Sequence, residues 1–135
     1  MKSDKVKILF VCIENAGRSQ MAEGFARHIG KDLVEPYSAG SKPSGKVNPL
    51  AIESMKEKGI DISSHDSKGF NDLPVKEFDY VVTMGCGDVC PYYPGKERLD
   101  WQTPDPKGKP IEYIRQVRDT IEKEVEKLLN TIYFE

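Results

Sequence analysis

Apolar residues along this chain follow two alternating rhythms. Val6 to Cys12 is a nearly continuous aliphatic run, the pattern of a central parallel strand covered on both faces. From Arg18 to Ile29 the rhythm changes: Met21, Ala22, Phe25, Ala26 and Ile29 recur at three and four, the stripe of an amphipathic helix that Gly30 can end. Leu33 to Ser38 reads as a short second strand, and Ala39-Gly40 with SKPSGK as a polar loop. Asn48-Pro49 is a cap followed by proline at the first helical position, opening a helix from Pro49 to Lys58 that Gly59 ends. Ile60 and Ile62 make a short third extended piece, and FDYVVTM, Phe78 to Met84, is the clearest later strand. Ile114, Val117, Ile121, Val125, Leu128 and Leu129 share one face of a last long helix from about Ile111 to Ile132. This alternation predicts an α/β domain, a parallel sheet with helices on both faces. No internal repeat or low-complexity segment interrupts it.

At 135 residues the chain fits one domain, residues 1–135, with a single core. With 31% charged residues and a net charge of −2, the surface is neither basic enough for generic nucleic-acid binding nor acidic enough for disorder. The opening MKSDKVKILFVCIEN is too short an apolar run to span a membrane and lacks a small-residue cleavage site, so a cytoplasmic protein with no membrane partner is expected. Three cysteines, Cys12, Cys86 and Cys90, are an odd number without a secretory signal, which argues against a structural disulfide framework and for redox or nucleophilic chemistry.

Cys12 lies where such chemistry is easiest. In a doubly wound sheet ligands bind beyond the carboxyl ends of the strands, beside helix N-termini, and Cys12 ends the first strand. Ile13, Glu14, Asn15, Ala16 and Gly17 can wrap into a loop whose backbone N–H groups point inward, and the following helix adds its positive end. A tetrahedral oxyanion fits that field. Arg18 closes the ring with a planar fork suited to two oxygens. The same field favours the thiolate over the thiol, and Ser19 is placed to donate a hydrogen bond to the sulfur. The bland alternative, a small apolar residue finishing a buried strand, loses ground once C-x5-R-S spacing falls at a strand-to-helix turn.

The stretch CIENAGRSQMAE resembles the anion loop of the low-molecular-weight tyrosine phosphatase superfamily, and more closely its arsenate reductase branch. Agreement extends to YSAG (Tyr37 to Gly40), VNP (Val47 to Pro49), DIS (Asp61 to Ser63), VVTM (Val81 to Met84) and the DP motif at Asp105, so it covers nearly the whole chain. The resemblance implies a four-stranded parallel sheet flanked by helices and covalent catalysis at Cys12. It also implies that Cys86 and Cys90, in TMGCGDVCPYYPG, complete a relay. Cys12 attacks arsenate, Cys86 then attacks Cys12 and releases arsenite, Cys90 attacks Cys86, and an external dithiol protein, thioredoxin, reduces the Cys86–Cys90 disulfide. A phosphatase needs one thiol, since water hydrolyses its phosphocysteine; a reductase must supply two electrons. Where relatives often have a wider gap, Cys86-GDV-Cys90 is a C-x3-C, which on a helix puts α-carbons about 6 Å apart, within disulfide range.

Other positions follow from the same resemblance. Asp105, between Pro104 and Pro106, is the expected general acid, and Trp101 is expected to help shield the site. Asn15 is expected to hold the loop in shape through its side chain. Glu23 and Ser38 match positions where some reductases hold potassium, but the corresponding carboxylate is Lys68 here, whose ammonium could replace the ion. Gln20 stands where phosphatases usually have proline, and Gly17 where many carry a second cysteine. Glu14 should disfavour bulky anionic phosphopeptides, or simply point into water. His28 reads as a helix-surface residue and His65 as a loop residue, and no zinc spacing joins either to the cysteines, so neither a metal nor a bound cofactor is expected. Three functions stay open: a monomeric thioredoxin-coupled arsenate reductase binding arsenate, phosphate or sulfate; an aryl phosphatase; and a noncatalytic oxyanion-binding or thiol-switch module.

Overall fold

The computed structural model describes residues 5–85 and 95–133. Its sheet has four parallel strands, β1 (Val6–Cys12), β2 (Val34–Gly40), β3 (Phe78–Thr83) and β4 (Gly95–Asp100), in the order β2-β1-β3-β4. Among the described residues three α-helices follow β1, β2 and β4: α1 (Arg18–Gly30), α2 (Pro49–Lys56) and α3 (Ile111–Tyr133). This is a single α/β domain of the fold expected from the sequence.

β1 is buried along its core because it has a neighbour on each edge and cover on each face. Ile8, Phe10 and Cys12 point into a cluster with Met21, Phe25 and Ala26 of α1, Ala51 and Met55 of α2, and Val117, Ile121 and Val125 of α3. Leu9 and Val11 point the other way, against Ala39, Val81, Leu73 and the 3-10 turn Phe70–Asp72. All six apolar positions anticipated on α3 are buried. α2 begins where expected: Asn48 Oδ1 accepts from Leu50 N at 2.9 Å, with Pro49 at the first helical position.

One strand differs from the sequence reading. Ile60 and Ile62 form no strand; buried at 8% and 0% exposure, they pack on α1, where a Cβ on Gly24 would meet Ile62 Cγ2 at 2.9 Å and Ile60 Cγ2 at 3.3 Å. The fourth strand is β4, GKERLD, whose charged side chains suit an edge with one neighbour and defeat any apolar pattern. Among the described residues no helix is long and apolar enough to cross a membrane.

Candidate active site

β1 delivers Cys12 to the carboxyl edge of the sheet, and the residues Ile13 to Gly17 turn the chain into α1. What shapes that turn is a set of outward-facing carbonyls. Cys12 O accepts from Ser41 N at 3.3 Å, Ile13 O from Lys42 N at 2.7 Å, Glu14 O from Ser44 N at 3.1 Å, Ala16 O from Asn48 N at 2.8 Å and Gly17 O from Met21 N at 2.9 Å. Asn15 O accepts from Gln20 Nε2 at 3.0 Å. In a trans peptide the N–H points opposite to the preceding carbonyl. Tying back the carbonyls of 12–17 therefore turns the amides of 13–18 toward the loop's interior. α1 adds its own uncapped first turn, since Gly17 offers no side-chain cap.

Two residues make this curvature possible. Asn15 adopts a left-handed φ of 53°, which asparagine tolerates better than most. Gly40, paired with Cys12 across β1 and β2, sits directly behind the loop: a Cβ there would lie 2.5 Å from Ile13 O and 2.8 Å from Asn15 N. The sequence reading placed Gly40 in a polar loop; its role emerges only with the strand register.

A directed hydrogen-bond chain ends on the sulfur. Lys68 N–H donates to Asn15 Oδ1 at 2.9 Å, which fixes the amide's orientation, so Asn15 Nδ2 donates to Ser19 Oγ at 2.7 Å. The Ser19 hydroxyl lies 2.8 Å from Cys12 Sγ and keeps its proton available, so it can donate to the sulfur when Cys12 is the thiolate, which has no proton to give. Gln20 braces Asn15 from behind, with Nε2 on Asn15 Oδ1 at 3.0 Å and on Asp66 O at 2.9 Å. Its Oε1 then accepts from His65 Nδ1 at 2.9 Å, leaving His65 Nε2 to accept from Arg27 Nη1 at 3.4 Å. Burial lowers the His65 pKa from its ordinary value; Arg27 and Lys68 act in the same direction, against Glu23, in keeping with this neutral tautomer.

Arg18 is 4% exposed and joins three segments. Its Nη1 donates to Met84 O at 2.6 Å and Thr103 O at 3.0 Å, and Nη2 lies 3.8 Å from Asp105 Oδ2. Gly85 follows β3 at φ 81°, where a Cβ would meet Thr103 O at 2.7 Å and Arg18 Nη1 at 3.0 Å. Cys86 and Cys90 lie outside the described residues. Cys12, Ile13, Glu14, Ala16, Gly17, Arg18 and Asp105 line a common cavity of about 580 Å³, with Lys46 and Asn48 also on its wall. Trp101 is elsewhere: its ring packs at a tilt of 47° against Phe10, centroids 5.9 Å apart, and borders a groove with Tyr80 and Leu99.

The expectation for Lys68 is corrected. Its Nζ turns outward to Asp66 O at 3.1 Å, whereas the cation beside Glu23 is Arg27, whose Nη2 is 2.8 Å from Glu23 Oε2. Ser38 Oγ donates to the other carboxylate oxygen. Arg27 reaches because it lies one turn along α1 from Glu23; with its guanidinium charge already compensating the carboxylate at 2.8 Å, this arrangement does not fit a potassium ion held by Glu23 and Ser38. Among the described residues, no group of three or more His, Cys, Asp or Glu side chains is placed to hold a metal.

Comparison with known proteins gives a consistent picture. Residues 7–135 match the family model described as low molecular weight phosphotyrosine protein phosphatase. The arsenate reductase of Staphylococcus aureus (strain Newman) is 44% identical over 126 residues, 90% of this chain and 95% of its own. An arsenate reductase solved in the phosphate binding state superposes with a TM-score of 0.85 at 38% identity, covering 94% of this chain and 98% of the other. A thioredoxin-dependent arsenate reductase from Corynebacterium glutamicum superposes with a TM-score of 0.83 at 39% identity, covering 99% of this chain and 65% of the other.

Proposed function

Since the chain belongs to the low molecular weight phosphotyrosine protein phosphatase family, on the branch of its arsenate reductases, we propose that it reduces arsenate to arsenite with electrons from thioredoxin. The observation that carries this reading is the loop itself: inward amides, the Arg18 guanidinium and a sulfur in hydrogen-bond contact with the Ser19 hydroxyl at 2.8 Å meet at one cavity. Backbone N–H groups and a buried arginine suit a tetrahedral oxyanion, and a hydrogen-bonded thiolate suits attack on its central atom.

In the proposed cycle the Cys12 thiolate bonds to arsenic and an oxygen leaves as water, its proton coming from Asp105, which hangs over Arg18 with half its side chain exposed. Cys86 then attacks Cys12 Sγ. The sulfur–arsenic bond breaks with its electron pair left on arsenic, so arsenic falls from +5 to +3 and arsenite departs while Cys12–Cys86 is oxidised. Cys90 attacks Cys86, releasing Cys12 as a thiolate, and the thioredoxin dithiol reduces Cys86–Cys90. Gly85, the residue before Cys86, lies beside the anion loop, since a Cβ there would stand 3.0 Å from Arg18 Nη1, which supports a role for Cys86 at Cys12.

Arsenate-dependent NADPH consumption with thioredoxin and thioredoxin reductase tests the reading. Turnover is expected in the natural chain and loss of turnover in Cys86→Ser; no turnover with any dithiol system would sink it. The second reading, hydrolysis of aryl phosphates, is favoured by the family match and by Cys12, Arg18 and Asp105 sharing one cavity. Para-nitrophenyl phosphate hydrolysis that persists in Cys86→Ser locates that activity at Cys12 alone. A thiol switch without turnover is the outcome if Cys12 reacts with alkylating agents yet neither assay registers.

A further inference from the structure

Three successive residues of the turn after β4 lie over the anion loop. Asp105 approaches Arg18, and Pro106 Cγ is 3.5 Å from where a Cβ on Gly17 would stand. Lys107 Nζ donates to Glu14 Oε2 at 2.5 Å. The Lys107 N–H also bonds Asp105 Oδ1 at 3.0 Å, so the proposed acid and this ammonium ride on one tight turn. Glu14 and Lys107 line the same cavity, with side chains 33% and 70% exposed, which puts their contact at its mouth.

A carboxylate at the mouth of an anion site repels the ligand the site is built to hold. Pairing with Lys107 cancels that repulsion and lays a bridge between the two walls. An inorganic oxyanion has no substituent to project past such a bridge, whereas an ester of the same anion must run its organic group out through the mouth. The pair is exposed, so it opens readily and its discrimination is graded.

We propose that Glu14 and Lys107 form a specificity-determining clasp that selects inorganic oxyanions over aryl-substituted ones at the Cys12–Arg18 loop. The proposal rests on the oxyanion reading of that loop and narrows its substrate class. The Glu14 side chain thereby acquires a function that its place in the C-x5-R stretch does not require.

Binding of inorganic phosphate and of phenylphosphonate, an aryl oxyanion that resists hydrolysis, is measured by titration calorimetry on three proteins. They are the natural chain, the neutralised E14Q/K107Q and the charge-swapped E14K/K107E, all with the same net charge at the rim. The clasp predicts that the preference for phosphate over phenylphosphonate falls about two- to fivefold in E14Q/K107Q, the range an exposed ion pair supports. It returns to within about twofold of the natural chain in E14K/K107E, since the swapped pair can re-form. An unchanged preference in E14Q/K107Q, or one that the swap does not restore, overturns the clasp and leaves the loop reading standing. Failure of the natural chain to bind either ligand overturns both.

Discussion

Replacing Ser19 by alanine is the sharpest test of how Cys12 is activated. Ser19 is fully buried, accepts from Asn15 Nδ2 at 2.7 Å and has its proton free for the sulfur at 2.8 Å. Ser19→Ala thus deletes a donor to an anion in a site where water does not readily replace it. Hydrogen bonds to charged groups are worth about 1.5–3 kcal/mol, and about half of that is offset because a sulfur freed of the bond is more nucleophilic, so at about 1.4 kcal/mol per tenfold Cys12 alkylation should slow roughly 4- to 15-fold. The substitution also strands the Asn15 amide N–H, costing about 1–3 kcal/mol of stability, so thermal melting must accompany the kinetics. Iodoacetamide alkylation at pH 7, read by peptide mass spectrometry to separate Cys12 from Cys86 and Cys90, gives the rate directly. A Cys12 rate within about twofold of the natural chain in a folded Ser19→Ala protein would refute the direction assigned to this hydrogen bond.

Three further outcomes are expected. Gly40→Ala places a Cβ 2.5 Å from the Ile13 carbonyl and should weaken phosphate binding by about tenfold or more through displacement of the loop, as read by titration calorimetry. Asp105→Asn should lower arsenate turnover by about 10²-fold or more in the coupled NADPH assay, as loss of a general acid does. Glu57, bound by Arg115 and Arg118, has its pKa lowered to about 2, chiefly by the Arg115 hydrogen bond and then by that of Arg118. A depressed carboxylate pKa contributes stability above the unfolded value and loses it as pH falls through the folded one. Glu57→Gln should therefore melt lower than the natural chain at pH 7, with the gap closing between pH of about 5 and 2 in melting curves.

Much of the fold was legible because burial on two sides leaves a plain mark. β1 is apolar throughout its inner length and α3 repeats its apolar residues at three and four, so each announced its type and its face. β4 carried no such mark: five of its six residues are charged or glycine, as an edge strand allows, and its place follows from pairing with β3. Ile60 and Ile62 gave the opposite error. Their spacing suits a strand, yet Gly24 leaves a hollow on α1 that those two side chains fill, and packing overrode the local pattern.

The site divides along the same line. Cys12, Asn15, Arg18 and Ser19 lie in one short stretch whose spacing carries its chemistry, whereas Gly40, His65 and Lys107 reach it through topology. Glu23 shows what sequence can and cannot decide there. A carboxylate 9% exposed needs a cation or donors close by, so some partner was predictable from its position on the buried face of α1. Which partner was not: Arg27 and Lys68 both carry the charge, and the choice turns on reach. Arg27, one turn on, reaches Glu23 while also donating toward His65 Nε2. That double engagement joins the Glu23 carboxylate to the His65–Gln20–Asn15 chain behind the sulfur, so Arg27 becomes the element through which α1 and the 65–68 segment brace the loop.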